Sequence, residues 1–502
     1  MRASVIDLGY NSLKMVSYEI GPSNTFRAFD QRGSLSKIGE GLNETGFLSE
    51  ERMEKVVQQL KLLNEVNRLQ KIDEVLPVAT SPVREAINGD EFLRMARAET
   101  GLRFRVLTAK EEALFAYIGA AMATRIPDSV VFDLGGGSLE LAFARGFRVR
   151  KILSIPLGAL RLNDEFGKRG KRFDKKGYER MCRLIEEILP GRNEFDIDSR
   201  VALIGIGGTI RALARHDQQL RDYPLNKLHN YELNRKSVVS IHRKLRSMDA
   251  KEIAHIPSFG RDRAESVTAG SLVVSMLMER LRFDRVIVST HGLRDGVLAE
   301  YLRRPAPRFR GELTEAEAKA SLSNWVGRKQ RSLGFASNLA SISVFTSMEK
   351  RILNEAAATF FDIYFSTRAE NLFYAILNED SYLDHSDQLA LSLAMVQAKA
   401  PKTANWFYSE YYHMLKDESK GSIDILAAFI RLMSVLRLTN SVARAHLKGR
   451  RLRLVIASPH REFPELLLDQ AVKDVEDATE LRVTPVLIRR GVAQEVSEVV
   501  RR

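Results

Sequence analysis

Two short stretches of this chain repeat one another, and that repeat constrains the fold more than any other feature. "VIDLGYNSLKMV" at residues 5–16 aligns with "VFDLGGGSLELA" at residues 131–142: Asp7 falls on Asp133, Leu8 on Leu134, Gly9 on Gly135, Ser12 on Ser138 and Leu13 on Leu139. In both, β-formers run into a short glycine-containing turn. They resume with alternating apolar residues, Leu13 and Met15 in one copy, Leu139, Leu141 and Phe143 in the other. Each copy is predicted to be strand, tight turn, strand. The first is followed by Met53, Val56, Val57, Leu60 and Leu63 at helical spacing, by "EVLPVATSPVREA", and by a helix beginning near Lys110. The second leads into "VALIGIGGTIRALAR" and "DRVIVSTHGLRDGVLAEYL", each a strand, a turn and a helix. Such alternation predicts an α/β class, with duplicated domains over residues 1–124 and 125–304.

The remainder has a different texture. "RRPAPRFRG" at residues 303–311 reads as a linker, and Thr314 with Glu317 as a capping box. Residues 312–446 are rich in alanine, leucine and aromatics and read as a helical domain. Residues 447–502 read as a small α/β domain: the strand "RLRLVIAS", a helix with Leu468, Ala471, Val472 and Val475 on one stripe, and the strand "LRVTPVLI". Cys182 is the single cysteine of 502 residues, which excludes an intrachain disulfide and a cysteine-built metal site. The opening residues lack an apolar signal core, and no run reaches the roughly 18 apolar residues of a membrane span. A cytoplasmic location without a membrane partner is therefore expected. The net charge of +13 suggests a polyanionic partner, although from charge alone a solvated basic surface is the favoured reading. No nucleic-acid-binding motif accompanies it, so nucleic acid is not the expected polyanion.

Consecutive glycines lose much conformational entropy on folding, so Gly135, Gly136 and Gly137 call for a reason. A turn without side chains lets backbone N–H groups approach an anion. Asp133 before the turn and Glu140 after it are candidate ligands of a hard cation, directly or through water, with Ser138 adding a hydroxyl. The site so described takes magnesium and phosphate together. A glycine hairpin bent for packing is the plainer alternative. The matched first hairpin and a third glycine turn, Gly205 to Thr209, weigh against it. Hydrolysis also needs a base and charge-spreading cations. Glu111 and Glu112 open a helix, and Arg84 follows the "ATSPV" turn. Acids are common in first helical turns for dipole reasons, and a surface ion pair explains an isolated arginine. Glu112 shares its helix face with Ala116, Gly119 and Ala120, a small-residue face suited to border a cleft.

At "DLGYNS", "ATSPVREAING", "TAKEEA", "FDLGGGSLEL", "IPLGALRL", "GIGGTIRAL", "RDRAESVTAG" and "HGLRDGVL" the chain resembles the exopolyphosphatase/guanosine pentaphosphate phosphohydrolase family, in that family's order and over roughly residues 1–300. The resemblance implies duplicated actin-like (ribonuclease H-like) ATPase domains with a cleft between them, then a mostly helical HD-like domain and a small α/β C-terminal domain. It implies magnesium-dependent release of orthophosphate from the end of inorganic polyphosphate. It makes Glu112 the catalytic base, places Asp133 and Glu140 at the metal, and assigns phosphate contacts to Asn11, Ser12, Gly135, Gly136, Gly137, Ser138, Gly208, Thr209 and Arg84. A homodimer built through the C-terminal regions is also implied. Tyr10 stands where that family usually has serine, and Leu114 where it has arginine. Asn378 precedes Glu379 where longer relatives often carry a metal-binding pair, so His385 is expected to be structural and the HD-type metal pair lacking. The basic loop at residues 167–180, with Lys171 and Arg172, is either a solvated loop or a channel wall that tracks the polymer. Guanosine pentaphosphate hydrolysis uses the same parts and is the alternative, with guanosine tetraphosphate as a further ligand of that kind. A polyphosphate- or nucleotide-binding sensor with little turnover is the alternative of another class.

Overall fold

The computed structural model describes residues 1–21, 24–167, 170–303, 342–357, 361–460 and 462–489. The linker after Arg303 and the Thr314–Glu317 capping box lie outside them. The chain divides into two compact units, Met1–Val326 and Gly327–Arg502.

The first unit holds two sheets with one plan. β1 (Arg2–Leu8), β2 (Ser12–Ile20) and β3 (Phe26–Leu35) form an antiparallel meander, and β4 (Glu74–Ala79) and β5 (Arg105–Val106) extend it in parallel, giving the order β3-β2-β1-β4-β5. β6 (Ser129–Leu134), β7 (Leu139–Arg145) and β8 (Arg148–Ile155) form the second meander. Beyond β6 follow β9 (Ala202–Ile206) and β11 (Arg285–Val288) in parallel, with β10 (Glu232–Asn234) antiparallel at the edge. The two repeated stretches are the β1–β2 and β6–β7 hairpins. Register pairs Asp7 with Lys14 in the first and Asp133 with Glu140 in the second.

One helix pair lies between these sheets. The helix Ala109–Thr124 starts at a capping box in which Thr108 and Glu111 exchange hydrogen bonds. It is buried from Ala113 to Met122 on every side, because a single apolar cluster joins it to Val5, Leu76 and Val78 of the first sheet and to Val131, Ala142 and Ile204 of the second. Its partner is the helix Leu293–Arg303. Where they cross, a β-carbon on Gly119 would fall onto the carbonyl oxygen of Gly292, and one on Gly296 onto that of Phe115. The small-residue face expected to border a cleft is therefore packed against backbone, and only its Glu112 end reaches open space. The outer faces of the sheets are covered separately. The helix Glu50–Leu69 buries Met53, Val56, Val57, Leu60 and Leu63 on the first, and helices including Gly208–Leu220 and Val267–Arg280 cover the second.

The second unit is helical through Asp417–Leu438 and ends in a three-stranded sheet, β12 (Val442–Lys448), β13 (Arg451–Ser458) and β14 (Arg482–Arg489), in that order. The domain boundary expected at 446/447 falls inside β12. The long helix stops at Thr439 and Asn440 takes a left-handed φ of 49°, a stop signalled by neither glycine nor proline. The helix Glu465–Thr479 buries Leu468, Ala471, Val472 and Val475 as its spacing predicts. His385 is buried at the start of the helix His385–Lys399; beside it Asp384 pairs with Lys416 (2.5 Å) and Asp387 with Arg351 (2.6 Å). No described helix is long and apolar enough to cross a membrane.

The helix crossing makes a direct prediction. Gly119→Ala forces backbone apart and should destabilise the protein by about 3 kcal/mol, at the upper end of ordinary overpacking. Gly421→Ala, where the added carbon meets nothing within 4 Å, should be neutral or slightly stabilising. Urea midpoints of the two variants measure both.

Candidate active site

The ends of β1, β6 and β9 open onto a cavity of about 130 Å³. It is lined by both hairpin turns, by the turn after β9, and by the Glu112 end of the central helix. Gly135 closes its turn by donating to the Ser138 carbonyl (3.0 Å), as Gly9 does to that of Ser12 (3.0 Å). The N–H groups of Tyr10, Asn11, Gly136, Gly137 and Ser138 donate to no described acceptor, and neither do those of Gly208 and Thr209 at the start of their helix. These donors can receive an anion. Gly207, which caps that helix, has φ 98°; a β-carbon there would stand 2.7 Å from Asp133 Oδ1, so only glycine lets the turn come this close to the acid.

Carboxylates gather beneath these turns. Glu140 is buried and accepts a hydrogen bond from Ser154 Oγ (3.1 Å). Burial pushes the Glu112 carboxyl up to about 7; Arg84 pulls it down, while Asp133 and Asp7 add to the rise. Burial, then Glu112, holds Glu140 well above the ordinary carboxylate range, and burial likewise raises Asp133. Buried acids that repel one another this way call for positive charge. Oxygen-only donors of this kind suit a hard cation such as magnesium.

Cations supply part of that charge. Lys14, Arg211, Arg263 and Arg294 all line the cavity. Arg294 pairs with Asp7 (3.3 Å), and Arg211 Nε donates to the Gly207 carbonyl (3.1 Å). The Arg263 guanidinium lies where a side chain on Gly208 would stand. Burial, with Arg294 and Arg211 beside it, lowers the Lys14 ammonium to about 7, and burial lowers Arg211 to about 10. The first turn of the helix carrying Arg294 is tied down at Asp295, which accepts from Gly292 N–H (3.1 Å) and from Tyr18 OH (3.2 Å) on β2.

Of the residues expected from sequence, Asn11, Ser12, Glu112, Asp133, Gly135, Gly136, Gly137, Ser138, Glu140 and Thr209 converge on this cavity. Gly208 sits just behind its wall. Arg84 does not line it: its guanidinium is engaged by Glu112 (3.1 Å) and by the Leu107 carbonyl (2.6 Å), which makes it a holder of the glutamate. Lys171 and Arg172 are exposed and outside the cavity, and Arg172 donates to the Ser247 carbonyl (3.3 Å). The residues that sequence reasoning left unassigned are Asp7 and the cations Lys14, Arg211, Arg263 and Arg294. Alignment of Asp7 with Asp133 was the available signal for one, and the quoted motifs at Arg211, Arg263 and Arg294 for three others.

A profile of the Ppx/GppA phosphatase family matches residues 22–304. The chain is 24% identical over 312 residues to a bifunctional 3-dehydroquinate synthase/phosphatase of Fusobacterium nucleatum, matching 60% of this chain but only 46% of that protein. It is 25% identical over 314 residues to exopolyphosphatase 2 of Mycobacterium tuberculosis, matching 59% of this chain and 97% of the relative. Among solved structures, the Aquifex aeolicus member of the Ppx/GppA family superposes with TM-score 0.51 at 28% identity, over 61% of this chain and 99% of that one. An exopolyphosphatase from Cytophaga hutchinsonii shares the fold, with TM-score 0.57 at 23% identity, over 60% of this chain and 98% of its own.

The lowered lysine can be tested without turnover. An anion among these cations restores the proton that burial disfavours on Lys14, so binding of inorganic phosphate at pH 8 should take up protons. Calorimetry in buffers of different ionisation enthalpy reads that uptake, and Lys14→Met should reduce it.

Proposed function

Because the chain belongs to the Ppx/GppA phosphatase family, we propose that it hydrolyses the terminal phosphoanhydride of inorganic polyphosphate, releasing orthophosphate with magnesium as cofactor. The observation that carries this reading is a half-buried glutamate, Glu112, facing the same small cavity as the two glycine hairpins and a cluster of cations. Glu112 accepts a proton from a water molecule as the water oxygen bonds to the terminal phosphorus. The bridging P–O bond breaks, and its electron pair leaves on the shortened chain. Lys14, Arg211, Arg263 and Arg294 spread the charge that develops there, and the free N–H groups of the hairpins hold the phosphoryl oxygens. Arg84 positions Glu112. Asp133 and Glu140 would hold magnesium, which when bound neutralises phosphate oxygens.

The same reading takes the two sheets as duplicated actin-like ATPase domains. It also retains the division into residues 1–124, 125–304 and a helical domain from 312, with the start of the small C-terminal domain moved from 447 to β12 at Val442, together with the homodimer, and Lys171 and Arg172 as a surface track for the polymer.

The direct test is orthophosphate release with magnesium from long polyphosphate and from guanosine pentaphosphate. Glu112→Gln should lower kcat on polyphosphate by about 10²–10⁴-fold with little change in KM. Preference for the guanosine substrate reassigns the activity, and binding without release turns the protein into a sensor. For the surface track, affinity for long polyphosphate should fall steeply with salt, and the Lys171→Ala/Arg172→Ala double variant should flatten that slope.

A further inference from the structure

Tyr10 sits at the tip of the first hairpin and lines two cavities at once: the candidate active site of about 130 Å³ and a neighbouring one of about 490 Å³. It is 4% exposed. Its ring meets residues of both lobes of the first unit. A β-carbon on Gly39 of the first lobe would lie 2.5 Å from the ring, and one on Gly137 of the second would lie 2.9 Å from it. Its hydroxyl finds no hydrogen-bond partner among the described residues, so the side chain acts here through its bulk. The ring is thus a partition between two spaces.

Those spaces differ in charge. Beyond the ring, the larger cavity is lined by Glu40, Glu44, Asp164 and Glu265 against one lysine, Lys37, which is already paired with Glu265 (3.4 Å). The charged groups acting on Tyr10 are Asp164, Arg161, Glu85 and Glu40, and none of them belongs to the cluster of Arg294, Arg211 and Arg263 that acts on Lys14. A polyanion in the active site therefore finds cations at one end and, at the other, an aromatic wall backed by carboxylates.

We infer that Tyr10 is a specificity-determining end wall: it stops the substrate at its last phosphate and admits only a bare, unsubstituted terminus. This rests on the reading of the site as a phosphoanhydride hydrolase, with the remaining chain lying toward the cations. A group attached to the terminal phosphate would have to occupy the volume of the ring. Shortening Tyr10 joins the active site to the larger cavity and gives that group somewhere to go.

The test is made by binding, in the Glu112→Gln background, so that it does not depend on turnover. The probes are polyphosphate of one defined length with free ends and the same polymer with both ends esterified by a small alkyl group. With Tyr10 in place, the free-ended chain should bind at least about tenfold more tightly. Tyr10→Ser should reduce the preference to about twofold or less, and Tyr10→Phe, which keeps the ring, should preserve it. Persistence of the preference in the serine variant, its loss in the phenylalanine variant, or its absence with Tyr10 present would each overturn the inference. Turnover of free-ended polymer by the unaltered protein, assayed in parallel, separates failure of the end wall from failure of the hydrolase reading.

Discussion

The contact on which the first unit depends is between backbones. Gly119 meets Gly292 and Gly296 meets Phe115, so two helices cross with no side chain between them, inside an apolar cluster shared by both sheets. Close packing of this kind transmits position with little slack. Glu112 lies two turns before Gly119 on one helix, and Arg294 lies at the start of the other. The crossing therefore sets the distance between the acid end of the cavity and one of its cations. It also explains why the helix is apolar around its whole circumference: it is the filling of a sandwich.

Charge balance is the second constraint. Isolated buried carboxylates neutralise themselves by taking protons, and the raised Glu112, Asp133 and Glu140 show that tendency. Buried cations lose theirs, and Lys14 and Arg211 show the mirror image. Neither set is comfortable alone. On the proposed reading a metal-bound phosphate would supply what each lacks, cationic charge for the acids and anionic charge for Lys14 and the arginines.

Much of this was legible in the sequence because the site is built from turns, and turns are written locally. Each glycine hairpin, with its preceding aspartate, is a continuous string of residues. The cations were harder to read. Lys14, Arg211, Arg263 and Arg294 come from separate segments, and each in isolation is an ordinary basic residue until the sheets bring them together. The partner of Arg84 was hidden for the same reason. The face of Ala116, Gly119 and Ala120 was misassigned because small residues suit both an open cleft and a close helix crossing, and periodicity carries no information on which one covers them. The start of the C-terminal sheet was placed late because the preceding helix ends on Asn440, a residue able to take the left-handed conformation without the usual glycine.

Tyr10 with Gly39, Gly136 and Gly137 constrains how the chain can change over generations. Each of those glycines faces the tyrosine side chain, so a side chain arriving at any of them collides with a part of the protein that cannot move aside, held as it is from both lobes. Replacing the tyrosine first removes the collision at position 39, while at position 137 Ser81 Oγ stands just as close, at 2.9 Å, and must give as well. The order of substitution thus matters: position 10 must shrink before positions 39 or 137 can grow, and once they have grown the ring has no place to return to. These positions therefore change as a set, the room that the ring gives up being the room that new side chains take.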